Sequence, residues 1–162
     1  MPLIKTEVVV GEASTEVLLV TDTITFATPV YEVLQEEVKI KVTDCYVCTD
    51  KVIFNGEAQK NIVYKAPPDP YTGEGVVVYH ELTLPFAGFV NVPGALPGDQ
   101  CQVVSASVKD STVLIPITKD ALGHILTAKQ KMVAEIKIKV VRTEQITIAS
   151  RDPKFRPLGE EE

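Results

Sequence analysis

Cys45-Tyr46-Val47-Cys48 sets two thiols three residues apart, a spacing used for zinc ligation and for thiol–disulfide exchange. A structural zinc wants four ligands, usually from two such pairs. The one further cysteine is Cys101, and His80 and His124 stand at no ligand spacing. A redox pair of this kind opens a helix after a strand. Here the pair closes a run of β-type residues, where positions i and i+3 face opposite ways. The leading readings are buried or unpaired thiols, then disulfides within a chain or between subunits, with zinc or redox chemistry the weakest of the three. Three cysteines are an odd number, so at least one stays free or links to another chain. Cys45, Cys48 and Cys101 are the candidate cross-links.

His80 and Glu81 are adjacent, and the functional reading is a base paired with a carboxylate. On a strand, neighbours point to opposite faces, so a strand surface position is the expected role of His80. His124 is a lone histidine. Tyr64, Tyr71 and Tyr79 offer rings that could line a sugar site, but core and cross-strand roles are the default. There is no Gly-rich phosphate loop, no serine-nucleophile motif and no paired-carboxylate signature. No catalytic residue, metal ligand or cofactor is expected, and a carbohydrate-active enzyme is the weakest of the functional readings.

The elements that would position these side chains are β-strands. The chain has 24 Val, 12 Ile and 15 Thr among 162 residues, and β-branched side chains lose rotamer freedom on a helix but pack well on a pleated sheet. Strands are expected over residues 7–10, 16–26, 37–48, 51–64, 75–84, 102–107 with 112–117, 133–141 and 145–149. In Glu37-Val38-Lys39-Ile40-Lys41-Val42 and Glu135-Ile136-Lys137-Ile138-Lys139-Val140 one face is Val/Ile and the other Lys/Glu. That alternation marks antiparallel strands with one wet face. About eight or more short strands in series predict an all-β antiparallel sandwich. At most one short helix is expected, over residues 120–132, where Leu122, Ile125, Leu126 and Lys129 recur at helical spacing and Gly123 weakens the pattern.

Residues 65–74 form a Pro-rich hairpin excursion. The first 15 residues read as an extended arm: a β-rich piece containing Ile4, Val8, Val9 and Val10, cut off by Gly11-Glu12-Ala13-Ser14. Residues 150–162, ending Glu160-Glu161-Glu162, read as a tail. The domain is then 16–149. Between strands lies Leu84-Pro85-Phe86-Ala87-Gly88-Phe89-Val90-Asn91-Val92-Pro93-Gly94-Ala95-Leu96-Pro97-Gly98-Asp99. Pro presets φ at the first corner of a turn and Gly accepts the positive φ of a type II turn, so two Pro-Gly turns fix this backbone.

Net charge is −6 and the isoelectric point about 5.0, which argues against nucleic acid or anionic membrane as partner. No apolar run approaches the roughly 18 residues of a membrane span. Met1-Pro2-Leu3-Ile4-Lys5-Thr6-Glu7 lacks the pattern of a signal peptide, so synthesis in a cytoplasm without general export is expected.

From about 34 to 148 the sequence resembles the SPOCS domain, found in spore coat and spore-morphogenesis proteins. An amphipathic strand, 38–43, comes first. Residues 51–64 are similar to the family's V-I-V-x-G … I-x-Y strand pair. Residues 78–95 are similar to its PF-x-x-F-x-x-VPGA signature, here Pro85, Phe86, Phe89, Val92, Pro93 and Gly94, followed by Gly98. A Val-rich strand and a closing strand, 133–141, complete the match.

The resemblance implies spore-envelope assembly and no catalysis. Members that carry a LysM peptidoglycan-binding module beside the domain recruit coat proteins at the forespore surface. No LysM-like segment is read here, which favours a stand-alone building block made in the mother-cell cytoplasm and deposited on the endospore as coat or appendage. The expected partner is a second copy, in rings, layers or filaments joined by β-edges and exchanged arms. The alternative is an adaptor that docks other coat proteins through the 65–74 loop or the Pro-Gly turns.

Overall fold

A computed structural model describes residues 3–147 as nine β-strands, with no helix among them. They are β1 (Leu3–Val20), β2 (Ile24–Val30), β3 (Glu32–Cys48), β4 (Lys51–Lys65), β5 (Val77–Asn91), β6 (Gln100–Ser111), β7 (Ile115–Lys119), β8 (Ile125–Lys129) and β9 (Lys131–Thr147). All pairing is antiparallel, in three sheets ordered β1-β9-β6, β2-β8-β7 and β3-β4-β5. The expected all-β sandwich is thus observed, though β1, β3 and β9 run 17 or 18 residues, longer than the short strands read from the sequence.

The first two sheets are one bent ribbon. Each of their strands breaks at the same level, at residues 21–23, 112–114 and 130. A polar cluster holds the bend. Thr21 N–H donates to the Gln130 carbonyl (2.9 Å), and Gln130 N–H donates back to Thr21 Oγ1 (2.8 Å). The Gln130 side chain, 1% exposed, donates to the Thr112 carbonyl (2.7 Å) and to Glu36 Oε1 (3.2 Å). Lys60, also buried, donates to the same Glu36 oxygen (2.8 Å).

The β3-β4-β5 sheet faces both halves of the ribbon. In β4 inward and outward residues alternate over its whole length, as period two demands. Val52, Phe54 and Ala58 of β4 meet Met132, Ala134, Ile136, Ile138 and Val140 of β9 in the larger core. Ile62 and Tyr64 meet Phe26, Val30 and Ala128 beyond the polar cluster. Gly56 sits in the larger interface because a Cβ there would strike the Phe86 ring and the Lys41 carbonyl oxygen, at 2.5 Å from the latter.

The expected helix over 120–132 is not formed. Asp120 accepts the N–H groups of Leu122 (3.0 Å) and His124 (2.8 Å), closing a tight turn, and β8 begins at Ile125. Leu122 is 80% exposed, so no apolar helical face exists, and Ile125 and Thr127 pair across β7 and β2 instead. Residues 65–74 do lie in a hairpin excursion, closed by Ala66 N–H on the Val76 carbonyl (2.8 Å). The stretch read as an arm is not cut off at Gly11: β1 runs on through a bulge there, paired with β9 throughout. The tail read over 150–162 lies outside the described residues.

Candidate functional site

One rim of the sandwich carries the two Pro-Gly turns singled out in the sequence. Its centre is the β5–β6 connection. Ala95 N–H donates to the Val92 carbonyl (3.1 Å) and Asp99 N–H to the Leu96 carbonyl (3.0 Å). Gly94 and Gly98 have φ of 90° and 97°. These are the two type II turns expected of Pro93-Gly94 and Pro97-Gly98. Val92 and Ala95 point into the core, while Pro93, Gly94, Leu96, Pro97 and Gly98 are exposed. Pro85 is exposed on β5, Phe86 is buried against Phe54, and Phe89 is half exposed on the outer face.

Two neighbours fasten this connection. Asp50, at the tip of the β3–β4 hairpin with φ of 61°, accepts Gly94 N–H on Oδ1 (2.8 Å), and its own N–H donates to the Ala95 carbonyl (2.8 Å). From β9, Arg142 donates Nε to Asp99 Oδ1 and Nη2 to Oδ2, both at 2.8 Å, and Nη2 also reaches the Gly94 carbonyl (3.1 Å). The guanidinium holds the Asp99 carboxyl below its ordinary value of 3.8; burial opposes this, and Leu96 N–H adds to it. Neither Asp50 nor Arg142 stood out in the sequence. Each acts through a partner more than forty positions away, which no local spacing reveals.

Arg142 also marks where the sandwich gives way to a ribbon. It pairs with Val8, and β6 starts opposite Val141, so residues 3–8 and 142–147 form a two-stranded extension of the sheet. The bulge at Gly11 moves the inward set from Ala13 and Val17 to Val10, Val8, Thr6 and Ile4. Val10 packs on the larger core. Ile4 is 41% exposed and Val8 38%, because β5 ends at Asn91 and brings no sheet opposite them. Val9 points to the other side and is 57% exposed.

The cysteines divide. Cys45 on β3 and Cys101 on β6 form a disulfide, with Cα atoms 6.4 Å apart, that staples the adjoining edges of two sheets. Cys48, opposite Lys51, is free and half-buried. Cys45 and Cys48 do not act as a pair. Nor do His80 and Glu81: His80 turns inward, its ring centroid 5.3 Å from that of Phe26, and Glu81 is exposed on the other face. His124 sits in the β7–β8 turn beside Tyr31. The tyrosines are scattered. Tyr64 is buried, sharing a hydrogen bond with Thr28 Oγ1 (3.2 Å), Tyr71 is at a loop tip and Tyr79 on an outer face.

The opposite seam of the sandwich, between β1 and β5, carries no staple. An open groove of about 450 Å³ runs between residues 13–18 of β1 and 87–91 of β5. Each of these edges uses only one side for pairing among the described residues.

A family model described as SipL, SPOCS domain, matches residues 29–115. That is more than half of the chain, and the chain belongs to the SPOCS domain family. The match takes in the whole β3-β4-β5 sheet, the Pro-Gly rim and β6. No curated protein and no solved structure matches the chain. Membership gives the protein a sporulation-related role in a structural, non-enzymatic family. Among the described residues no helix is long and apolar enough to cross a membrane.

Proposed function

We propose that this chain is a structural protein of the endospore surface that assembles with copies of itself through β-edges and the strand containing Ile4, Val8, Val9 and Val10. It is made in the mother-cell cytoplasm and laid down in rings, layers or appendage-type filaments. The observation that carries the reading is the two-stranded extension. A two-stranded ribbon is marginally stable alone in water, and this one bears apolar side chains on both faces. A free strand edge with exposed Ile and Val is a template for pairing with another chain. Cys48, unpaired within the chain, remains a candidate link between subunits once the surroundings become oxidising.

Sedimentation velocity over a concentration series tests this. The full chain is expected to form species larger than a monomer in a concentration-dependent way, and a monomer at every concentration contradicts it.

A second reading has its own support. Tyr71 is 95% exposed at the tip of the 65–74 excursion, which Asp69 orders by accepting the Tyr71 (2.7 Å) and Thr72 (3.2 Å) N–H groups. A hydrogen-bonded loop presenting a bare aromatic suits an adaptor that recruits another coat protein. Pull-downs from sporulating cells with Tyr71→Ala separate the two: loss of a captured coat protein favours the adaptor, and unchanged capture argues against the loop.

A further inference from the structure

The assembly reading names a strand that leaves one copy but not the surface that receives it. The β1–β5 groove has the matching form. Its floor is Val17, Gly88 and Val90; its exposed lips are Leu18, Ala87 and Phe89. Leu18 is 64% and Phe89 51% exposed, one large apolar side chain on each side of the open seam. Gly88 keeps the floor low: a Cβ there would lie 2.9 Å from the Phe54 ring and 3.2 Å from Val17. Both bordering edges keep unpaired backbone groups among the described residues; residues 3–8, paired with β9 on one side, keep one free side to meet the β1 edge.

We propose, resting on the assembly reading, that this groove receives residues 3–8 of a second copy of the chain. Three observations select that occupant. Its length fits, six residues of strand against the six of the 13–18 lip. Its pattern fits: Ile4, Thr6 and Val8 share one face, as a strand settling on an apolar floor requires. Its charges fit too. The β1 lip carries Glu16, and Lys51 stands 4.7 Å over the Phe89 ring at the rim end. A strand entering antiparallel to β1 sets Glu7 toward Lys51 and Lys5 toward Glu16, whose present partner is the exposed Lys109. Residues 3–8 and 13–18 lie on the same free edge of β1. The antiparallel contact is therefore reciprocal: each copy gives its strand and receives the other's, and the pair closes as a two-fold dimer, the unit from which a larger assembly is built through its remaining edges.

Two full-length variants test the inference by complementation. Ile4→Asp with Val8→Asp spoils the giving strand and leaves the groove. Leu18→Lys with Phe89→Lys spoils the groove and leaves the strand. Each alone is expected to be monomeric by sedimentation. An equal mixture is expected to give a dimer of twice the monomer mass that does not grow further. Strand content by circular dichroism checks folding, and Ala87→Arg replaces the groove variant should that variant lose it. If the unaltered chain assembles but the groove variant assembles equally well, or the mixture stays monomeric, the groove is not the receptor while the assembly reading stands. If the unaltered chain is itself monomeric, that reading falls and this inference with it.

Discussion

Arg142 grips Asp99 with two parallel hydrogen bonds of 2.8 Å, joining the root of the β1/β9 ribbon to the second Pro-Gly turn. The pair ties the ribbon to the rim of the sandwich. Asp99 has its carboxyl lowered below 3.8 in the folded chain, by the Arg142 hydrogen bonds first. Its contribution to stability is therefore present above about pH 4 and is lost as pH falls through the lowered value. Asp99→Asn is expected to reduce stability at pH 7, with the difference from the parent shrinking below pH ~4. Hydrogen exchange at Val8 and Val9 should quicken in the same variant. A stability difference that does not change with pH would mean the pair is not the cause.

The staple between Cys45 and Cys101 closes a loop of 56 residues. Chain-entropy reasoning puts its contribution at about 4 kcal/mol. Denaturant unfolding of Cys45→Ser, or of the reduced protein, is expected to show a loss of roughly 2–5 kcal/mol. Cys48→Ser should stay within about 0.5 kcal/mol of the parent. Mass spectrometry after alkylation of the folded protein should find Cys48 as the one cysteine modified.

Two glycines separate backbone strain from crowding. At Gly98 nothing lies within 4 Å of an added Cβ, so Gly98→Ala tests the φ of 97° alone and is expected to cost about 1–2 kcal/mol. At Gly56 the backbone is ordinary, and the clash with Phe86 and Lys41 makes the loss about 1–3 kcal/mol by overpacking. Adding the mutation Phe86→Leu should recover part of the second loss and none of the first. Equal rescue of both would contradict the distinction.

The bend between the two halves of the ribbon depends on Gln130. Gln130→Ala strips donors from the Thr112 carbonyl and Glu36, and is expected to lower stability by roughly 1–3 kcal/mol in thermal or denaturant unfolding. A loss below about 0.5 kcal/mol would mean the cluster merely fills space.

The sheets were readable because their signal is local. Lys39, Lys41, Lys137 and their apolar neighbours show period two directly, and each falls on the predicted face. The turns at Pro93-Gly94 and Pro97-Gly98 were readable for the same reason, since φ is set residue by residue. The helix expected over 120–132 failed because apolar spacing alone cannot outweigh Asp120, which captures the backbone N–H groups of the next turn. The cysteine pairing, the Asp50 and Arg142 clamps and the β1–β5 groove depend on which strands become neighbours. That is settled by topology, and β1 and β9 meet across more than a hundred residues of intervening chain. Gly11 looked like a boundary and is a bulge, a distinction that only the partner strand reveals.

Self-assembly through the 3–8 strand is the central claim, and electron microscopy of the purified full chain beside its Ile4→Asp/Val8→Asp variant tests it most directly. The account predicts regular rings, layers or filaments from the parent and none from the variant, with the variant still folded. Identical images from the two, whether both assembled or both monomeric, would contradict it.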